Sequence, residues 1–453
     1  VPSIEEVFRK AGLVPRPGQL EAAEALASLL EESSRVAFVA PPGFGKTLVV
    51  LAVLKSRWLF PATWRVRALA LARRIADDAA VLDIREELLL GRERVCPYAR
   101  TLGEDVHEWC RMYKARCPFF RARTCPYYFY SLDRDLYIMN YRRAPPRVRV
   151  IDVWDEAHNL LAPREKCISA EQIVEAAAQV AEEELARRLE ELAGLLEAPG
   201  PVDVEPELIA GLYRAYVRVL GEERPTALGR LYRVLATQAL SVEDGRLCGY
   251  EVLLPRRGLL VSATLPHAEA FGPVLEIPWT RKLRAAVVPY LTSRYEEFDE
   301  DMARRARAFL LKLKKAYKRI LVFATQRVAK KIAPAADLYE PESIPRDWTG
   351  ALLLHARGRF SEGVDIRGVD AVVVLGAPYL PPHASDKLKR TLRAQGFQGD
   401  IAEIAMLSTV LQCVGRATRS PEDNPLVILA DHRFKRHEGE LSKYFELTEE
   451  LHY

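Results

Sequence analysis

The chain has 453 residues, 49% hydrophobic and 28% charged, the make-up of a globular protein with room for two or three hydrophobic cores. No apolar run is long enough to cross a bilayer, and seven cysteines over this length exclude a disulfide-built scaffold. A net charge of +4 is too slight to name a polyanionic partner, so the placement of charge matters more than its total.

Residues 3–32 read as helical. Val1–Lys10 has two glutamates and no long apolar stretch, so no signal peptide is expected and the protein is expected to be intracellular. An amphipathic helix over Leu20–Leu30 is preceded by Arg16 and Gln19. The Gln19 amide offers both a donor and an acceptor to an adenine edge, so the pair is either a base contact or a polar helix start. An apolar strand, Val36–Val39, then runs into Ala40-Pro-Pro-Gly-Phe-Gly-Lys-Thr47 and a helix over 46–58.

Strand, glycine-bearing loop ending in Gly-Lys-Thr, then helix is the context of a phosphate-binding loop. Pro42, Gly43, Phe44 and Gly45 turn the backbone N–H groups inward, and the helix start adds partial positive charge. Lys46 is placed to reach the β- and γ-phosphates, and the Thr47 hydroxyl to hold Mg²⁺. Ala40 stands where the widest form of the motif has its first glycine. A second buried strand is expected over Val66–Ala72. Arg73, Arg74, Asp77 and Asp78 follow it, either meeting a phosphate backbone or forming a solvated helix end.

Residues 91–130 change character. Cys96, Cys110, Cys117 and Cys125 are separated by 13, 6 and 7 residues, and basic and aromatic residues interleave with them. Four thiolates suit a four-iron cluster or a structural zinc; the absence of paired Cys-x₂₋₄-Cys knuckles favours iron–sulfur. The basic–aromatic mixture suits a surface that neutralises phosphates and stacks bases, or a small domain that uses aromatics as its core.

A strand over Val148–Trp154 delivers Asp155-Glu-Ala-His158. Asp155 is placed to hold Mg²⁺, Glu156 to polarise an attacking water, and His158 to link nucleotide state to neighbouring motifs. Asp152 inside this strand must lie at an edge or be paired. Residues 164–245 read as helical, with Leu185, Leu189, Leu192 and Leu196 on one face. Cys167 and Cys248 read as isolated, packed thiols. Leu259–Leu265 returns to a strand whose Ser262 and Thr264 are placed to sense the nucleotide site.

From about residue 285 a second α/β unit follows, with strands over 319–324, 351–355, 370–376 and 426–430 alternating with helices, hence a parallel sheet with right-handed crossovers. It has no phosphate-binding loop of its own. It carries Gly358-Arg-Phe-Ser-Glu-Gly-Val-Asp365 and Gln412-Cys-Val-Gly-Arg-Ala-Thr-Arg419. Arg416 and Arg419, three apart on one helix face, can point at a γ-phosphate as arginine fingers.

Together these segments resemble the superfamily 2 DNA helicases, and within them the XPD/DinG-like iron–sulfur branch, most closely its archaeal XPD type. The matching residues are Arg16 and Gln19, Ala40–Thr47, Asp155–His158, Ser262–Thr264, Ser361–Asp365 and Gln412–Arg419, with Thr292-Ser-Arg-Tyr295 and the four-cysteine insert in addition. The resemblance implies an α/β fold of two RecA-like domains. The first is assembled from 1–90, 131–163 and 246–284, interrupted by the iron–sulfur insert at 91–130 and a short helical, arch-like insert at 164–245. The second is 285–453. About 100 residues separate Asn159 from Val261, fewer than the family usually has, so the arch is short.

The implied activity is ATP-driven 5′→3′ translocation on single-stranded DNA with unwinding of forked or duplex DNA, in repair or related processing, by a monomer away from membranes. The implied cofactors are ATP, Mg²⁺ and a 4Fe-4S cluster. Lys46, Asp155, Glu156, His158, Arg416 and Arg419 would be catalytic. Arg16, Gln19, the loop from Pro42 to Thr47, Asp365 and Gln412 would bind nucleotide. Thr47 and Asp155 would hold Mg²⁺, and Cys96, Cys110, Cys117 and Cys125 the cluster. Two alternatives are a DNA-stimulated ATPase that translocates without productive unwinding, and a non-catalytic, metal-dependent nucleic-acid-binding protein.

Overall fold

The computed structural model describes residues 2–358, 360, 366–418 and 422–448. The chain divides into two compact units: Val1–Ile277 with Pro381–Gly399, and Pro278–Leu380 with Asp400–Tyr453. No helix among the described residues is long and apolar enough to cross a membrane.

In chain order the first unit has β1 (Arg35–Val39), β2 (Ala62–Val66), β3 (Glu86–Leu89), β4 (Leu136–Asn140), β5 (Ile151–Asp155), β6 (Arg164–Ser169), β7 (Gly200–Pro201), β8 (Ala239–Glu243), β9 (Arg246–Glu251), β10 (Gly258–Ser262) and β11 (Val274–Glu276). Seven of them form one parallel sheet in the order β11-β1-β10-β5-β2-β4-β3. The central strands are buried on both faces, as a sheet covered by crossover helices requires. Helices Gln19–Glu32 and Lys46–Ser56 pack on it, the latter burying Val49–Leu54 entirely.

The second strand lies four residues earlier than the sequence suggests. Val66 ends it, and Leu69–Leu71 form a short 3-10 turn into helix Ala72–Val81. Arg65 hides the strand's apolar pattern, because its charge is matched inside the protein by Asp152 at 3.0 Å. Asp152 itself sits on β5, between β10 and β2. It is paired there: it accepts from Thr63, from Arg65 and from Arg149, so its burial is compensated.

The segment expected to be wholly helical, 164–245, is mixed. It carries helices Ala170–Ala177, Glu183–Gly194, Pro206–Leu220 and Ala227–Leu235, but also the antiparallel sheet β6-β9-β8-β7. Cys167 and Cys248 are not separate thiols: they face each other across β6 and β9 and form a disulfide. Strand pairing supplied this contact; 81 residues of separation hid it in the sequence.

The cysteine-bearing insert and this mixed segment share one core. Leu102, Val106, Trp109, Cys110 and Cys117 pack with Leu189, Leu212, Tyr216, Leu228 and Leu231. Asp105 pins the two together. It is buried, and it accepts from Tyr216 Oη (2.8 Å), Thr226 N (2.8 Å) and Arg233 Nη1 (2.6 Å).

The second unit has β12 (Leu283–Val287), β13 (Arg319–Ala324), β14 (Leu338–Tyr339), β15 (Gly350–His355), β16 (Ala371–Leu375), β17 (Leu426–Ala430) and β18 (Phe445–Leu447). They form one parallel sheet ordered β14-β15-β13-β16-β17-β12-β18. Helix Pro382–Ala394, within sequence expected to belong to this unit, packs instead in the first. His383 Nε2 lies 2.7 Å from Ser241 Oγ on β8, Lys387 pairs with Asp203 at 2.8 Å, and Phe397 stacks edge-on against Phe271.

Candidate nucleotide site and cysteine-bearing insert

β1 hands the chain to the loop at Ala40, which is buried and donates its N–H to the Ser262 carbonyl of the neighbouring strand. Space is tight there, so a small residue serves in place of the glycine. Gly43 and Gly45 adopt left-handed backbone, φ +82° and +90°. At Gly45 a Cβ would stand 2.4 Å from Gln19 Nε2, so both conformation and space demand glycine. Helix Lys46–Ser56 starts at once with no side-chain cap, leaving its first N–H groups directed at the loop.

Gln19 and Arg16 brace this loop. Gln19 Nε2 donates to Phe44 O (2.6 Å), its Oε1 accepts from Arg16 N (2.8 Å), and Arg16 Nη1 donates to Gly43 O (2.5 Å). The amide is buried and directed at the loop backbone.

Lys46 Nζ donates to Ala40 O (2.7 Å) and Pro41 O (3.2 Å). Burial lowers its pKa, Glu156 and Asp155 pull it back up, and Arg74 lowers it. The lysine therefore sits within electrostatic reach of both carboxylates. Arg74, which the sequence left between a phosphate contact and a solvated helix end, adds a second positive charge to this site.

Asp155 ends β5. Burial, then repulsion from Glu156, pushes its carboxyl up to about 6, against hydrogen bonds from Trp64 Nε1 (3.3 Å) and Glu156 N (2.9 Å) and the pull of Lys46. Glu156 is left-handed at φ +51°, which costs a non-glycine residue about 1–3 kcal/mol unless its surroundings hold it. They do: Tyr141 Oη donates to the carbonyls of Asp155 and Glu156, and Asn159 donates to Glu156 O from both its backbone N–H (2.9 Å) and Nδ2 (3.1 Å). Burial and the two carboxylates raise the Tyr141 hydroxyl well above its ordinary pKa, which keeps it a donor.

His158 Nδ1 lies 2.8 Å from Ser262 Oγ and 3.3 Å from Glu156 Oε2. Ser262 donates its O–H to Thr264 O (2.7 Å), so its oxygen is left to accept from His158 Nδ1–H. Histidine, Ser262 and Thr264 thus form one chain of hydrogen bonds across the ends of β5 and β10.

In the insert, Cys110, Cys117 and Cys125 are buried and Cys96 half-buried, and none is in a disulfide. Burial raises the Cys96 thiol pKa, and Cys110, Cys125 and Cys117 raise it further, so the four sulfurs gather. The aromatics are mostly occupied within the insert. Tyr98 packs on Trp109 at 4.6 Å, Phe120 and Tyr127 meet Tyr128 edge-on, and Arg92 lies 4.0 Å over Tyr127. Phe119 and Phe129 remain exposed, with Arg94, Arg100, Arg111, Lys114, Arg116, Arg121 and Arg123.

In the second unit, Gln412 lies on helix Ile401–Gly415, and Arg416 follows at its C-terminal end, its carbonyl accepting Ile366 N–H at 2.9 Å. Asp365 and Arg419 lie outside the described residues. The sequence reading missed Trp64, Tyr141 and Asn159 as supports of the acidic pair. Asn159 was adjacent to the motif and visible. Trp64 and Tyr141 needed the correct ends of β2 and β4.

A family profile described as the helicase C-terminal domain matches residues 301–447. The ATP-dependent DNA helicase XPD of Sulfolobus acidocaldarius is 23% identical, over 90% of this chain and 94% of that one. A solved structure titled XPD_Helicase superposes with a TM-score of 0.69 at 21% identity, covering 96% of this chain and 99% of the other. The S. tokodaii Xpd4 structure gives 0.62 at 16% identity, covering 96% and 100%.

Proposed function

We propose that the chain is an XPD-type ATP-dependent DNA helicase that translocates 5′→3′ on single-stranded DNA and unwinds duplex ahead of it, as an intracellular monomer in repair or related processing; the similarity to an XPD helicase along nearly its whole length supports this reading. The observation that carries its ATPase core is the meeting of Lys46, at the start of the helix after β1, with Asp155 and Glu156 at the end of β5, two strands away in the same parallel sheet. Lys46 and the loop N–H groups bind the phosphates. Thr47 and Asp155 hold Mg²⁺, which neutralises phosphate charge when bound. Glu156 orients the attacking water, and His158 carries the state of the site to Ser262 and Thr264. Gln412, Asp365, Arg416 and Arg419 keep the nucleotide-binding and finger roles assigned from sequence.

The four gathered thiols fit a 4Fe-4S cluster. The absence of paired Cys-x₂₋₄-Cys knuckles in the sequence favours the cluster over a structural zinc. When bound, the cluster would cross-link four segments of the insert; the chain's own part is to bury the thiolates and set the Arg92 charge beside Cys110.

Strand displacement on a forked DNA, run beside ATP hydrolysis, tests the reading. Lys46→Ala is expected to abolish both. Unchanged DNA-stimulated hydrolysis in that variant would sink it. The short segment between Asn159 and Val261 gives the translocase alternative its footing, and hydrolysis without displacement by the wild type would select it.

A further inference from the structure

The first unit has an open recess of about 520 Å³, large enough for a ligand, at the amino ends of β1 and β10. The phosphate-binding loop leaves the other end of β1, one strand length or about 16 Å away. Ser33, Ser34 and Arg35 line the recess from the entry to β1, Arg256 from the entry to β10, Gly272 from the entry to β11, and Gln395 from the end of helix Pro382–Ala394. Gly272 has φ +135°, and a Cβ there would stand 2.7 Å from Arg35 O, so only glycine lets this wall lie against β1.

The charge of the recess is one-sided. Among the described residues two arginines line it and no carboxylate does. Arg35 is fixed in place: its Nε donates to Phe271 O and its Nη1 to Pro255 O (2.9 Å). Burial lowers its pKa, and no neighbouring carboxylate raises it back. Arg256 is exposed. Its guanidinium, the Gln395 amide and the Ser34 hydroxyl have no hydrogen-bond or ion-pair partner among the described residues. Two guanidinium groups without a counter-charge favour an anionic occupant.

The other groups say which kind. The Gln395 amide and the Ser34 hydroxyl each offer a donor and an acceptor, which match the N–H and C=O of a peptide main chain; a phosphodiester chain brings acceptors only. The one aromatic residue of the lining, Phe271, is fully buried and packs edge-on against Phe397, so no ring is presented on which a base could stack. At the same edge of the sheet Val148 and Val150 are exposed before β5, the strand beside β10, and offer aliphatic surface.

We propose that this recess docks an acidic peptide segment of a protein partner, its carboxylates on Arg256 and Arg35 and its main chain on Gln395 and Ser34. Such an occupant bridges the entries of β1 and β10 to the segment Pro381–Gly399, which reaches this unit from later in the chain. The inference stands apart from the helicase reading, because binding and not ATP turnover reports it.

The test uses the full chain and a fluorescein-labelled peptide of alternating glutamate and serine, followed by fluorescence anisotropy at low salt. The peptide is expected to bind the wild type, and its glutamine-for-glutamate counterpart to bind far more weakly. Arg256→Glu, an exposed change, is expected to weaken binding roughly ten-fold or more, the loss of one charge-assisted pair, and to leave ATP hydrolysis unchanged. Gln395→Ala is expected to weaken it about three-fold. Lys312→Glu, an equal change of charge on an exposed residue of the second unit, is expected to leave affinity as it was. Thermal unfolding confirms that each variant is folded. A wild type that holds the glutamate peptide no more tightly than the glutamine one, or equal weakening by Arg256→Glu and Lys312→Glu, overturns the site. Oligo(dT) affinity that falls with Arg256→Glu while peptide affinity does not overturns the peptide in favour of a nucleic acid.

Discussion

Gly43 and Gly45 share a left-handed backbone, yet their surroundings differ. A Cβ at Gly43 meets nothing within 4 Å, whereas at Gly45 it meets the Gln19 amide. Gly43→Ala should thus carry only the conformational cost of about 1–2 kcal/mol. Gly45→Ala adds the displacement of Gln19 and should lose ATP binding outright, as fluorescent-nucleotide titration of both variants would report. Asp152 poses the opposite case, a buried charge kept by its partners. Burial raises its pKa, but Thr63, Arg65 and Arg149 more than offset this and leave it below the ordinary carboxylate value. A depressed carboxyl stabilises the fold above its unfolded pKa and loses that contribution as pH falls through the folded one. Stability of the wild type should therefore decline below about pH 4. Asp152→Ala strands Arg65 in the sheet and should cost about 3–5 kcal/mol at neutral pH, with a flatter acid limb, in denaturant melts.

At the scale of elements, the disulfide ties β6 to β9 and closes the segment that carries four helices. For a loop of this length the chain-entropy estimate is about 4.5 kcal/mol, with about 2–4 more usual in practice. Cys167→Ser with Cys248→Ser, or reduction, should lower the melting temperature and leave the P-loop chemistry intact; an unchanged melt on reduction would contradict this. What was legible at this scale follows from pattern length. Strands such as Arg319–Ala324 and Leu426–Ala430 are continuous apolar runs and stood out in the sequence. β2 did not, because Arg65 is neutralised by a residue 87 positions away. The antiparallel strands did not, because Gly200–Pro201 is two residues long and the Asp244–Gly245 turn that joins β8 to β9 lies at the edge of a stretch dominated by helical periodicity. The residues of the candidate site were readable where motif spacing is local, as in Ala40–Thr47 and Asp155–His158. Their supports, Trp64 and Tyr141, come from other strands, and only the sheet order brings them in.

At the scale of the molecule, the cysteine insert and the mixed segment behave as one body because Asp105 and a common core join them. Asp105→Ala leaves Arg233 and Tyr216 without their buried acceptor and should destabilise this body by about 3 kcal/mol. Loss of iron or zinc from the four cysteines should follow at a lower temperature than in the wild type, read by visible absorption and metal assay. Helix Pro382–Ala394 adds a pH response. Burial lowers the pKa of His383, against the pull of Glu243 and Asp386, so the folded protein binds this proton less readily than the unfolded chain. Its contribution is complete above the ordinary imidazole pKa of about 6.5 and is lost as pH falls below it. His383→Gln should flatten the dependence of melting temperature on pH between about 5 and 7.

That same helix has a consequence for synthesis. The first unit is not contiguous: it needs Pro381–Gly399, and these residues leave the ribosome about 120 positions after Ile277. At about 5–20 residues per second the delay is roughly 6–25 s. For that interval the surfaces of Phe271 and Ser241 await their partners, while the first strands of the second unit are already emerging. The nascent chain must hold an unfinished domain open, which makes this window the one in which a chaperone would matter most to its yield.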